Sequence, residues 1–105
     1  MPQLTPYPET QLQADVEGRL KLLGWRWYHT RDSRRSNAGF PDIVAIRGQR
    51  LLFIELKGID AQGRLGTVTK EQEAWHKDLS EIPSVEMYVW GPQHWDNNTI
   101  ERMLA

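Results

Sequence analysis

A Gly-Gln dipeptide at positions 48 and 49 separates two runs of β-branched and aliphatic residues, Asp42 to Arg47 and Arg50 to Lys57. Two such runs around a two-residue turn with glycine first are typical of a β-hairpin with a type II′ turn. The turn fixes the register, because it pairs Arg47 with Arg50 and, counting back along both strands, Asp42 with Glu55. The sequence therefore predicts antiparallel strands that carry two opposed carboxylates at the end away from the turn.

Opposed carboxylates need a compensating charge. Side chains of directly paired residues share one sheet face, and two like charges there destabilise the sheet. Lys57 lies on the same face as Glu55, since side chains alternate along a strand. A divalent cation held by Asp42 and Glu55 would offset the repulsion, and carboxylate oxygens suit Mg²⁺ or Mn²⁺. The other side chains of this face are apolar, so we expect a buried surface: Val44, Ile46, Leu51 and Phe53.

The composition is that of one folded domain. The chain has 105 residues, of which 39% are apolar and 26% are charged, and a chain of this kind can bury a core. It has no cysteine, which excludes disulfides and thiolate metal sites. No leader peptide or membrane-spanning run is recognisable, so we expect a cytoplasmic protein. The net charge of −1 argues against a protein wrapped uniformly in nucleic acid.

The remaining pattern predicts helices and strands in the order αβββαβα, with residues 1–8 as an irregular lead-in to a single domain. Apolar residues at helical spacing before Gly24 indicate a first helix over residues 9–23. We expect an aromatic strand at 25–30, the hairpin strands at 42–47 and 50–57, and a last strand at 85–90. Two further helices are predicted at 69–80 and 98–104. The glycine-containing segments 31–40 and 58–68 are expected to be loops, the second of them mobile.

Several motifs follow one another in a characteristic order. They are a glutamate on the first helix, Gly39-Phe40-Pro41-Asp42, Glu55-Leu56-Lys57, and Gln72 followed by Trp75. Together they resemble the PD-(D/E)xK nuclease superfamily. The runs His29 to Ser36 and Thr69 to Trp75 resemble, within it, the virus-type replication-repair nuclease family (VRR-NUC). The resemblance covers about residues 9–91 and implies a restriction-endonuclease-like α/β core, a mixed central sheet flanked by helices.

The resemblance also implies roles for individual residues. Asp42, Glu55 and the Leu56 carbonyl would hold Mg²⁺ or Mn²⁺, with Glu17 as the helical glutamate of the metal site. Lys57 would orient or activate the attacking water, and Gln72 would belong to the active site. Two alternatives stay open: Glu17 as an ordinary exposed helix residue, and Gln72 as half of a capping box with Thr69.

Candidate DNA contacts are less specific. Arginine and small hydroxyl side chains are usual phosphate ligands, although a solvated loop is the alternative. The candidates before the hairpin are Arg31, Ser33, Arg34, Arg35 and Ser36, and those around the second loop are Arg64 and Lys70. Of the three histidines, His29 is most simply a strand residue, and His76 and His94 have no partner that the sequence identifies.

The function that these expectations describe is divalent-metal-dependent hydrolysis of DNA phosphodiester bonds. Minimal members of the family resemble viral junction resolvases, so Holliday junctions or other branched DNA are the expected substrate. The expected assembly is a homodimer, since two symmetric cuts need two active sites. This implies a DNA-repair or phage nuclease, in a bacterial or phage-infected cell, with no organic cofactor and no membrane partner. The alternatives are the same chemistry on flaps, nicked duplex or single-stranded ends as a monomer, and a non-catalytic nucleic-acid-binding domain.

Overall fold

The architecture is taken from a computed structural model that describes residues 4–30 and 37–105. It is a mixed α/β fold with one four-stranded sheet, which confirms the predicted class. The strands lie in the order β1-β2-β3-β4. The elements are α1 (Glu9–Leu22), β1 (Arg26–His29), β2 (Ile43–Arg47), β3 (Arg50–Leu56), α2 (Lys70–Ser80), β4 (Val85–Trp90), α3 (Pro92–Asp96) and α4 (Thr99–Leu104).

The predicted order αβββαβα lacks one helix, α3. Pro92 predicts a break after β4, but proline is tolerated in the first turn of a helix, where its missing N–H has no partner to lose. In the structure Pro92 begins α3, and Asn98 adopts a left-handed conformation with φ 64° between α3 and α4. The helix predicted at 98–104 corresponds to α4, and α3 is an additional short helix before it.

The chain forms two compact units that are interleaved along the sequence. One comprises the described parts of Met1–Gly24, Leu56–Thr67 and Val89–Ala105, and the other those of Trp25–Glu55 and Val68–Tyr88. None of the helices in the described part of the chain is long and apolar enough to cross a bilayer.

In the first unit, α1 buries a single stripe of side chains. Leu12, Val16 and Leu20 are fully buried, as their spacing predicts. The helix ends at Leu22 with Leu23 as its C-cap, and Gly24 follows with φ 82°, a left-handed conformation that glycine adopts without strain.

The described residues before α1 and the segment after β3 form isolated bridges outside the named strands. Tyr7 and Ile59 exchange backbone hydrogen bonds at 2.9 and 2.8 Å, and Ile59 also bridges Leu65. The carboxylate of Asp60 accepts the N–H of Arg64 at 2.9 Å and closes a tight turn. The pairing of Tyr7 with Ile59 joins residues far apart in sequence, so no local pattern could predict it.

In the second unit, the hairpin has the predicted register. β2 pairs antiparallel with β3, with Arg47 opposite Arg50 and Ile43 opposite Ile54. Gly48 has φ 59°, and Asn98 is the one non-glycine residue with positive φ in the described chain. Only the first central residue of the turn is therefore left-handed, as a type II′ turn requires.

The two faces of the hairpin differ in burial. The first face is fully buried and consists of Ile43, Ala45, Leu52 and Ile54. On the other face Val44 and Phe53 are half-buried and Ile46 is 45% exposed. The expectation of a fully buried second face is therefore wrong toward the turn. The polar contacts of Gln72 and His76 from α2 lie at the opposite end of the hairpin, beside Glu55.

Candidate metal centre

Asp42 and Glu55 come together at the end of the hairpin away from the turn. Continuing the register past Ile43 and Ile54 places them opposite each other, and a carboxylate oxygen of each lies within 4.8 Å of the other. Asp42 is half-buried, whereas Glu55 is only 2% exposed. A buried carboxylate beside a second one is unfavourable in water-free surroundings and favours a bound cation.

The backbone around Asp42 is fixed by the neighbouring strand. The Thr30 N–H donates to the Asp42 carbonyl at 2.8 Å, and the Thr30 hydroxyl donates to the Pro41 carbonyl at 3.0 Å. Pro41 itself is buried. The residue after β1 therefore fixes the backbone just before β2. The Asp42 side chain is attached to this constrained backbone.

The Gly39-Phe40-Pro41-Asp42 run has a packing reason as well as a chemical one. Gly39 has φ 88°, and a Cβ on it would overlap the backbone of Glu71 in the first turn of α2. The Phe40 ring packs edge-on against Phe53 and Trp75, with centroids 6.0 and 5.0 Å away. Glycine thus lets α2 approach closely, and the phenylalanine fills the space between helix and sheet.

Gln72 caps α2 and also contacts Glu55. Its Oε1 accepts the Thr69 N–H at 2.9 Å and its backbone N–H donates to the Thr69 hydroxyl at 3.2 Å, which is a complete capping box. The other end of the same amide, Nε2, donates to Glu55 Oε2 at 3.0 Å. Because the cap occupies the amide oxygen, the amide nitrogen faces Glu55.

His76 is a neighbour of Glu55 that the sequence did not reveal. Its Nε2 lies 3.9 Å from Glu55 Oε1, and its side chain is 12% exposed. The signal was available in principle, because residue 76 follows Gln72 by one helical turn and shares its face. His29 pairs with Ile43, so it lies on the sheet face opposite to Asp42. His94 accepts the Gly91 N–H at 2.9 Å and caps α3.

Lys57 belongs to the other unit, directly after the end of β3. Its N–H donates to the Trp90 carbonyl at 2.9 Å, which extends the strand pairing past Leu56. The half-buried side chain lines a pocket of about 380 Å³ together with Glu9 and Arg64. Leu56 is buried, and a metal-binding role for its carbonyl stays a prediction.

The acidic residue of α1 that accompanies Lys57 in that pocket is Glu9, whereas the sequence prediction was Glu17. A Cβ on Gly58 would overlap the backbone nitrogen of Glu9, so the start of α1 lies against the residue that follows Lys57. Glu17 lies two turns further along α1, half-buried, and accepts a hydrogen bond from Gln13 at 2.7 Å. The long-range pairing of Tyr7 with Ile59 brings Glu9 here, and α1 alone gives no sign of it.

Two of the predicted DNA contacts, Arg64 and Lys70, lie among the described residues. Arg64 is exposed and its guanidinium lies 3.3 Å from the Asp60 carboxylate. Lys70 is the exposed first residue of α2. The remaining candidates lie outside the described residues: Arg31, Ser33, Arg34, Arg35 and Ser36.

The donor set fits a hard divalent cation. The two carboxylates at this end of the hairpin, Asp42 and Glu55, are both oxygen donors. Oxygen-only ligands are those of Mg²⁺ and Mn²⁺ and are untypical of zinc. No family model, curated protein or solved structure matches this chain.

Proposed function

We propose that this chain is a divalent-metal-dependent endonuclease that hydrolyses DNA phosphodiester bonds, with a restriction-endonuclease-like core. The main support is the juxtaposition of Asp42 with the buried Glu55 at the end of a well-defined hairpin. Lys57 follows Glu55 by two positions, as in the nucleases that the motifs resemble. A purely structural domain has no need for a buried carboxylate beside a second one.

In this proposal each residue of the site has a separate role. Asp42 and Glu55 bind the cation, and Gln72 holds Glu55 in one orientation through its amide N–H. When bound, Mg²⁺ or Mn²⁺ supplies Lewis-acid polarisation of the phosphate and makes a water molecule more acidic. The Lys57 ammonium orients that water and stabilises the negative charge that develops on the scissile phosphate.

We propose Glu9, in place of Glu17, as the acidic residue of α1 that accompanies Lys57. Glu9 and Lys57 line one pocket, whereas Glu17 accepts a hydrogen bond from Gln13 on α1. Glu9 lies in the first turn of α1, where the helix dipole stabilises a negative charge. Its carboxylate is therefore tolerated there without a cation.

The substrate and assembly rest on the resemblance to minimal VRR-NUC proteins. We propose branched DNA, a Holliday junction above all, cut by a homodimer with two active sites. Arg64 lines the pocket beside Lys57 and is a candidate for the phosphate backbone of the substrate. Light scattering after size-exclusion chromatography distinguishes the dimer from a monomer.

The test is a cleavage assay on end-labelled four-way junction, flap, nicked duplex, duplex and single-stranded DNA of matched sequence, with Mg²⁺, Mn²⁺ or EDTA. We expect cleavage that needs the metal and favours the junction. Preferential cutting of flaps or single-stranded ends would keep the chemistry and replace the substrate. DNA binding without cleavage under either metal would contradict the enzymatic function and favour a non-catalytic binding domain.

A further inference from the structure

Glu55 is contacted from one side by two side chains of α2, one helical turn apart. Gln72 Nε2 lies 3.0 Å from Oε2, and His76 Nε2 lies 3.9 Å from Oε1. The two carboxylate oxygens therefore have different polar neighbours. Residues four apart in a helix lie on the same face, so Gln72 and His76 both face Glu55.

Packing does not explain a histidine at this position. The His76 side chain is 12% exposed, and its helix neighbour on the core side, Leu79, is buried. Burying an imidazole costs desolvation free energy that an apolar side chain of similar size does not cost. The cost is offset if the ring interacts with the Glu55 carboxylate.

The distance identifies the kind of interaction. At 3.9 Å the two atoms are about 1 Å beyond hydrogen-bond length, so a small rotation of either side chain closes the contact. A proton on Nε2 then donates to Oε1 while Gln72 donates to Oε2. Carboxylates that bind metals are commonly held by such donors, which fix the direction of their remaining lone pairs.

We propose that His76 is a positioning residue for Glu55, and that Gln72 and His76 together orient this carboxylate toward a divalent cation. This inference rests on the proposed function, because it takes Glu55 as a ligand of Mg²⁺ or Mn²⁺. His76 does not touch the substrate or the cation. It restricts rotation of the Glu55 carboxylate. Binding of the cation then costs less conformational entropy.

The experiment is isothermal titration of Mn²⁺ into the wild-type protein and two variants at one fixed pH, with a urea unfolding curve for each. His76→Leu removes the donor and keeps the approximate volume, while His76→Gln keeps an N–H donor at a similar reach. We expect His76→Leu to bind Mn²⁺ roughly 10–100-fold more weakly, and His76→Gln to stay within a few-fold of the wild type. A merely structural role would not give rescue by glutamine.

The outcomes separate this inference from the proposed function. Equal Mn²⁺ affinity of His76→Leu and the wild type overturns the role of His76 and leaves the metal site intact. Equal weakening in both variants also overturns it, because the donor then makes no difference. A wild-type protein that binds no Mn²⁺ overturns the proposed function itself, and the role of His76 with it. If His76→Leu does not fold, His76→Met provides an apolar side chain that adapts to the same space.

Discussion

Gln72 donates from Nε2 to Glu55 Oε2 at 3.0 Å while its Oε1 accepts the Thr69 N–H at 2.9 Å. The residue that caps α2 is thus also the residue that orients the buried carboxylate of the candidate site. One amide group therefore contributes both to the N-terminal cap of α2 and to the contacts of Glu55. A substitution at Gln72 can test the contact with Glu55 separately from the helix cap only if it keeps the oxygen that accepts the Thr69 N–H.

Gln72→Glu keeps an oxygen for the Thr69 N–H and replaces the N–H donor by an oxygen that faces Glu55. We expect the variant to lose about 1–3 kcal/mol of unfolding free energy at neutral pH, since a buried acceptor loses its donor. Lowering the pH should restore part of the loss, because a proton shared between the two carboxyl groups replaces the lost hydrogen bond. Urea unfolding at neutral and mildly acidic pH measures both effects.

Glu71→Gln is the matched control, because Glu71 is an exposed neighbour in the same helical turn. It should show neither the loss nor the pH-dependent recovery. A Gln72→Glu protein as stable as the wild type at neutral pH would mean that the amide does not face Glu55.

Gly39→Ala should destabilise the protein more than Gly24→Ala does. Both glycines have positive φ, 88° and 82°, so alanine costs roughly 1–2 kcal/mol of backbone strain at either position. Only at Gly39 would a Cβ also overlap the backbone of α2, at Glu71, whereas a Cβ on Gly24 would meet no atom beyond its chain neighbours within 4 Å. Equal losses in thermal unfolding of the two variants would show that α2 does not approach Gly39 closely.

Glu9→Gln should lower metal-dependent cleavage, and Glu17→Gln should leave it nearly unchanged. Glu9 lines the pocket that contains Lys57, whereas Glu17 bonds to Gln13 on α1. Initial cleavage rates over a series of Mg²⁺ concentrations compare the two variants. Both replace a glutamate of α1 by glutamine, so only the position of the change differs. A larger loss in Glu17→Gln would instead support Glu17, the residue assigned from the sequence.

The sequence predicts what local rules determine. The turn at Gly48 sets the register, and from it follows the pairing of Asp42 with Glu55. The position of Glu9 depends instead on the pairing of Tyr7 with Ile59, which no periodicity encodes. The sequence also could not assign Gln72 to one role, because its amide has two ends and both are used. His76 was missed because its partner lies on another element.

A second polar cluster lies near the turn end of the hairpin and should make stability depend on pH. Arg50 binds the Glu86 carboxylate at 2.7 and 2.8 Å, and the Tyr88 hydroxyl donates to it at 2.5 Å. The hydrogen bonds from Arg50 hold the pKa of Glu86 below its usual value. Burial, together with Glu86, raises the pKa of Tyr88 to about 12.

A depressed carboxyl pKa stabilises the fold above the pKa of the unfolded chain, about 4.3 for glutamate, and the contribution disappears as the pH falls through the folded value. Wild type should therefore exceed Glu86→Gln by about 1 kcal/mol of unfolding free energy at neutral pH, a modest figure because both side chains are about a third exposed. The difference should shrink below about pH 4. A difference that stays constant or grows in acid would contradict this assignment.

The central claim is that Asp42 and Glu55 hold a divalent cation for DNA hydrolysis assisted by Lys57. Single-turnover cleavage of a labelled four-way junction, with a binding assay on the same DNA, tests it in the wild type, Asp42→Asn and Lys57→Ala. The wild type should cut only with Mg²⁺ or Mn²⁺, and both variants should bind the junction about as tightly while cutting at least about 100-fold more slowly. Cleavage at the wild-type rate by either variant, or metal-independent cleavage by the wild type, would contradict it.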